Sequence, residues 1–275
     1  MRRKVIDFHA HAFPDTLAPR AMKVLLDEAP GIKAWLDGTT GDLLRSMDVA
    51  GIQTSVLCCI ATRPAQFEPI LEWCRAVRSD RLVPLPSIHP ADPDCLDRIG
   101  RIREEGFLGI KLHPFYQDFF ADEDRMLRFY EEVCRQRLML VMHTGYDIAF
   151  PPIRRADPIQ VRRITEMFPD LRFVATHLGA WRQWDEVREH LVGRDIYMET
   201  SFAMEDLSLE DARQIIVGHP PGYVLFGTDS PWTDQARSLD WLERMDLSPD
   251  LLESILAKNA ATLLGMDAGG VSRRP

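Results

Sequence analysis

Short runs of β-branched and aromatic residues alternate along this chain with longer stretches whose apolar positions recur every three or four residues. Eight runs read as strands: "VIDFHAHAF" at 5–13, "TSVLCCIA" at 54–61, "RLVPLPSIH" at 81–89, "FLGIKLH" at 107–113, "LMLVMHTG" at 138–145, "RFVATHLG" at 172–179, "DIYMETSF" at 195–202 and "YVLFGTDS" at 223–230. Their hydrophobicity is continuous rather than alternating, which suits strands buried on both faces in a parallel sheet covered by helices. Between them, residues 122–137 put Met126, Phe129, Tyr130 and Val133 on one helical face, and 249–264 reads as a closing helix. The irregular stretch after the first run holds a helical excursion at about 14–51. Eight βα units in 275 residues predict an α/β fold of the (β/α)8 TIM-barrel type with few insertions, a doubly wound open sheet being the alternative. With no linker or low-complexity segment in view, residues 1–275 are expected to form a single domain.

The unusual polar residues fall at the ends of these runs. His9 and His11 lie late in the first, His89 ends the third, Lys111 and His113 the fourth, His143 the fifth, His177 the sixth and Asp229 the eighth, with Glu199 late in the seventh. In a barrel all strand C-termini open on one face, where catalytic residues collect, so groups distant in sequence would meet there. Positions i and i+2 of a strand project to the same side, so His9 and His11 can chelate one ion through neutral imidazoles. A third imidazole and a carboxylate would complete a nitrogen and oxygen set suited to Zn²⁺, with Mn²⁺ or Fe²⁺ less favoured. Such an ion lowers the pKa of bound water toward ~7, and hydrolysis is the default use of that water.

Charge and cysteines narrow the partners. The net charge of −9 is spread along the chain without a basic cluster, so no nucleic-acid partner is expected. No apolar run approaches the ~20 residues a membrane span needs, so no membrane partner is expected either. "MRRKVIDF" lacks the apolar core and cleavage site of a secretory signal. The five cysteines are odd in number and form no CxxC pair, as reduced thiols would. A cytoplasmic location follows as the expectation, and a homo-oligomer is the base-rate assembly.

The ordered series "DFHAH" (7–11), "GIKLHP" (109–114), "MHTG" (142–145), "THLGA" (176–180), "GTDSPW" (227–232) and "KNAATLLG" (258–265) resembles the amidohydrolase superfamily, in its amidohydrolase-related branch of metal-dependent hydrolases and decarboxylases. The resemblance implies a single metal held by His9, His11, His143 and Asp229. It gives His177 and Asp229 the catalytic roles, His177 as acid or base toward water or substrate and Asp229 as a proton shuttle. A two-metal arrangement, with a carboxylated Lys111 bridging the ions and His143 and His177 on the second, is the less favoured version.

Three functions are weighed. The first is a metal-dependent hydrolase of a small amide, lactone or related carbonyl substrate. The second is a metal-dependent nonoxidative decarboxylase of an unsaturated or aromatic carboxylic acid, and the third a non-catalytic metal-binding barrel. The partner is a small-molecule substrate in the first two. Arg63, Arg154 and Arg155 offer guanidinium groups to a substrate carboxylate, which would favour the second. Glu199 reads as a partner orienting a ligating imidazole or as a polar residue in another register. His89 and His113, each before a proline, face substrate or shape a strand exit, and Tyr146, Trp181 and Trp232 line a pocket or pack under loops. His190 and His219 read as surface residues, and Cys58 and Cys59 as strand packing.

Overall fold

The computed structural model of the chain describes residues 3–266; Met1, Arg2 and residues 267–275, which the expected domain includes, lie outside the described residues. The eight strands fall inside the eight apolar runs: β1 Ile6–Ala10, β2 Thr54–Cys58, β3 Leu82–Leu85, β4 Gly109–Leu112, β5 Met139–Met142, β6 Arg172–Ala175, β7 Tyr197–Glu199 and β8 Val224–Leu225. Helices alternate with them, and two, Ala18–Glu28 and Thr40–Ala50, occupy the segment between β1 and β2. The chain divides into two compact units, one of residues 3–57, Val77–Val83 and 199–266 and the other of Cys58–Ala76 and Pro84–Met198.

In the first unit β1 is the centre. It pairs in parallel with β2 through Ile6 with Thr54 and Asp7 with Ser55, then shifts register before Ala10 meets Leu57. On its other side the Phe8 amide donates to the Phe226 carbonyl at 2.7 Å, and the His11 amide to the Ser230 carbonyl at 2.6 Å. The helical period over 249–264 is present, but not as one regular helix. Pro249–Glu253 and Asn259–Leu264 flank a π-turn at Ser254–Lys258. The reason is long-range: the Ile255 carbonyl accepts from the Phe226 amide at 3.0 Å, and a widened turn frees such a carbonyl from the helix ladder. One turn on, Asn259 Nδ2 donates to the Pro221 and Val224 carbonyls at 2.7 and 2.8 Å, fastening this helix to the start of β8.

In the second unit β4, β5 and β6 run parallel in matched register, Leu112 opposite Met142 and Met142 opposite Ala175. That register puts His113, His143 and Thr176 one step beyond a common row of strand ends. The helix Asp124–Arg135 buries the predicted Met126, Phe129, Tyr130 and Val133. Past β5, Gly145 bridges to Trp181, so close that a Cβ at 145 would lie 2.2 Å from the Trp181 amide nitrogen. Only glycine permits that approach, and its φ of +87° is also a left-handed conformation.

His219 departs from the expected surface position. It ends the helix Leu209–Gly218 and is buried, because the segment that follows is held inward by the Asn259 bond to Pro221. His190 is half-buried. All five cysteines are free thiols; Cys58 is buried in β2, and Cys59 Sγ lies 3.5 Å from Cys74 Sγ.

Candidate metal centre

In the first unit three side chains converge. His9 is the next-to-last residue of β1, His11 follows the strand end, and Asp229 follows β8 at a φ of +65°, a left-handed conformation that aspartate tolerates better than most residues. The Asp229 amide donates to the His9 carbonyl at 2.7 Å, so the two segments are locked where the side chains meet. His9 Nε2 lies 3.1 Å from His11 Nε2, and Asp229 Oδ1 lies 3.4 Å from the first and 3.0 Å from the second.

These residues fit a divalent cation. Ligands at zinc distances of about 2.0–2.1 Å on tetrahedral corners stand about 3.3 Å apart, close to the three separations observed. The alternation along β1 thus does bring two imidazole nitrogens to one point, as the sequence spacing predicts.

A buried network stands behind the trio. His9 Nδ1 lies 2.9 Å from Glu199 Oε1, while the other ring nitrogen, Nε2, is the one that faces His11 and Asp229. Asp7 is fully buried and accepts from the amides of His9 and Thr228, at 3.1 and 3.0 Å, and from Thr228 Oγ1 and Gln235 Nε2, at 2.7 and 2.8 Å. Burial pushes its carboxyl up to about 7 against the pull of those donors. Asp7 ties β1 to the Thr228 segment that carries Asp229. Asp7→Ala should therefore lower stability by about 2–4 kcal/mol, since it strands buried donors; chemical denaturation measures this, and an unchanged midpoint would refute the assignment.

In the second unit His143 Nδ1 lies 3.0 Å from His177 Nε2, while His143 Nε2 donates to the Tyr146 carbonyl at 2.9 Å. The Tyr146 bond leaves Nδ1 as the lone-pair nitrogen of His143. Burial, followed by the neighbouring His113 and His177, holds the His143 imidazole well below its ordinary pKa, in the neutral form a metal ligand needs. His113 stacks on His143 with ring centroids 4.1 Å apart, and its Nε2 lies 3.4 Å from Asp147 Oδ2. His113, His143 and Asp147 thus form a second group with cation-binding geometry. His177 sits at a φ of +58°, its carbonyl accepting from Trp184 Nε1 at 3.1 Å. Lys111 is fully buried in β4.

The other candidates have varied surroundings. His89 Nδ1 accepts from the Ala91 amide at 3.1 Å, shaping the exit from β3. Trp181 is buried, its ring under the Arg182 guanidinium at 4.2 Å, while Tyr146 and Trp232 are half-buried. Arg154 is spent on Asp157 and Glu186, and Arg155 on Asp118 at 2.7 Å, so neither is the open carboxylate clamp the sequence suggested. Arg63 is exposed and makes no ion pair among the described residues. The sequence reading passed over Asp7, Asp147 and Ser201, although "DFHAH", the i+4 spacing of Asp147 from His143 and "METS" carried each signal.

The family model for amidohydrolases (Amidohydro_2) matches residues 6–266. No protein of curated function matches the chain. Among solved structures, an uncharacterized TIM-barrel protein of Bordetella bronchiseptica is 20% identical with a TM-score of 0.77, covering 95% of this chain and 98% of that one. The 5-carboxyvanillate decarboxylase LigW of Sphingomonas paucimobilis is 17% identical with a TM-score of 0.69, over 97% and 99% of the two chains. A dihydroxybenzoic acid decarboxylase of Polaromonas sp. JS666, with bound manganese and the inhibitor 2-nitroresorcinol, is 16% identical with a TM-score of 0.68, over 98% and 99%. The likeness shows the fold, a (β/α)8 barrel of the α/β class, and sets the open sheet aside. No helix among the described residues is long and apolar enough to cross a membrane.

Proposed function

We propose that this chain, which belongs to the amidohydrolase family, is a metal-dependent hydrolase of a small amide, lactone or related carbonyl substrate. The observation that carries the reading is the trio of His9, His11 and Asp229 donor atoms, 3.0–3.4 Å apart and backed by Glu199. The ligand set is His9, His11, His143 and Asp229, with zinc the preferred ion and manganese or iron the alternatives. When bound, the ion supplies Lewis acidity toward a carbonyl and lowers the pKa of water. His143 offers Nδ1 because Tyr146 occupies its Nε2–H. His177 serves as acid or base at Nε2, and Asp229 both holds the ion and accepts a proton.

A nonoxidative decarboxylase is the second reading. It is favoured by the solved structures of similar fold named as dihydroxybenzoate and 5-carboxyvanillate decarboxylases and by the exposed guanidinium of Arg63, which makes no ion pair among the described residues. The loss of Arg154 and Arg155 as clamps weighs against it. Zinc- and manganese-loaded protein, incubated with amides, lactones and esters and in parallel with aromatic and unsaturated acids, separates the two. Hydrolysis products support the first; carbon dioxide without them transfers the assignment to the second. The cation count is expected to be one per chain; two would contradict the single-ion reading and place the second ion either on a carboxylated Lys111 bridge or at the His113, His143 and Asp147 group.

A further inference from the structure

We infer that Glu199, Ser201 and Gly227 act together as a positioning device that fixes the tautomer and tilt of the His9 imidazole, and so set how tightly the His9, His11 and Asp229 trio holds a divalent cation. The inference rests on the metal reading of that trio.

Glu199 is fully buried at the end of β7 and accepts three bonds on its carboxylate: from the Ser201 amide at 2.6 Å, from Ser201 Oγ at 2.7 Å and from His9 Nδ1 at 2.9 Å. Ser201 Oγ also lies 3.0 Å from His9 Nδ1, closing a triangle of hydroxyl, carboxylate and imidazole. A carboxylate has no proton to give, so the proton in the His9 contact resides on Nδ1. That leaves the lone pair on Nε2, the atom 3.1 Å from His11 Nε2 and 3.4 Å from Asp229 Oδ1. The ring is held from the side opposite the cation, in the one tautomer that can ligate there.

Gly227 supplies the room. A Cβ at this position would lie 2.1 Å from Glu199 Oε2 and 3.2 Å from His9 Cβ. Its φ is not left-handed, so space rather than conformation accounts for the glycine. Nor can its backbone retreat, because Thr200 Oγ1 accepts from the Gly227 amide and donates to the Gly227 carbonyl, both at 3.1 Å. The device can therefore be broken in two independent ways. Glu199→Gln removes the charge and leaves one acceptor oxygen where two are used, so it cannot accept from both the Ser201 amide and His9 Nδ1, whereas Gly227→Ala keeps the charge and pushes the carboxylate off the imidazole.

The test is zinc affinity by competition with a chromophoric chelator, together with imidazole nitrogen NMR of cation-free protein. Native protein should show His9 protonated on Nδ1. Both variants should bind zinc about 10–100-fold more weakly, lose the Nδ1–H state of His9 and, loaded with cobalt(II), show altered visible absorption. Variants that bind zinc as tightly as native protein, with the His9 tautomer unchanged, would overturn the inference. Should the native protein take up no cation, the metal reading fails instead, and the tautomer measurement, made without cation, still decides the device. Ser201→Ala, a smaller change, guards against misfolding of the other two and should shift the tautomer in the same direction.

Discussion

Asp229→Asn should cost the protein its bound cation and lower kcat/KM by about 10³-fold or more, because the ion contributes several kcal/mol of charge stabilisation to the reaction. Asparagine is the informative replacement. Asp229 stands at a φ of +65°, where alanine would add backbone strain of about 1 kcal/mol or more and confuse lost ligation with lost structure. Asparagine tolerates that conformation, keeps the side-chain shape and removes the charge that Oδ1 presents to His9 and His11 at 3.4 and 3.0 Å. Because the Asp229 amide still donates to the His9 carbonyl, the two segments stay locked. Metal analysis and steady-state kinetics on the same preparation check the expectation, and native cation content with native turnover would contradict it.

His177→Asn is expected to slow turnover by about 10²–10⁴-fold, the ordinary worth of a positioned acid or base, while cation content and melting temperature stay at native values. The side chain lies 3.0 Å from His143 Nδ1, yet its backbone is held separately, through the carbonyl that accepts from Trp184. Here too asparagine suits the left-handed φ of +58°. A fall in kcat with cation retained identifies proton transfer. A fall in both would move His177 into the ligand set, as the two-metal arrangement requires. Unchanged kcat would remove it from the chemistry.

Strands and candidate ligands were legible for the same reason. Each apolar run is continuous because its strand is buried on both faces, and each histidine or aspartate stands out at a run's end because a polar residue in that setting needs a partner. His9 and His11 also carried their geometry in their spacing, since alternate strand positions share a side. What was illegible depends on partners far away in sequence. The π-turn at Ser254–Lys258 answers a bond from Phe226, the burial of His219 follows from Asn259 reaching Pro221, and Gly227 is small because of Glu199. Arg154 and Arg155 looked available beside a substrate because Glu186 and Asp118, which occupy them, lie over thirty positions away, Asp157 being the one near partner of Arg154. Local periodicity holds no record of such pairings. Asp7 was the exception, a charged residue inside an apolar strand whose need for donors could have been read directly.

The central claim is that His9, His11 and Asp229 hold a divalent cation, and the most direct test is the metal content per chain of protein grown with zinc supplied, measured beside the His11→Ala variant. The account predicts one tightly held ion in the native protein and almost none in the variant. A full native complement of metal in His11→Ala would contradict it.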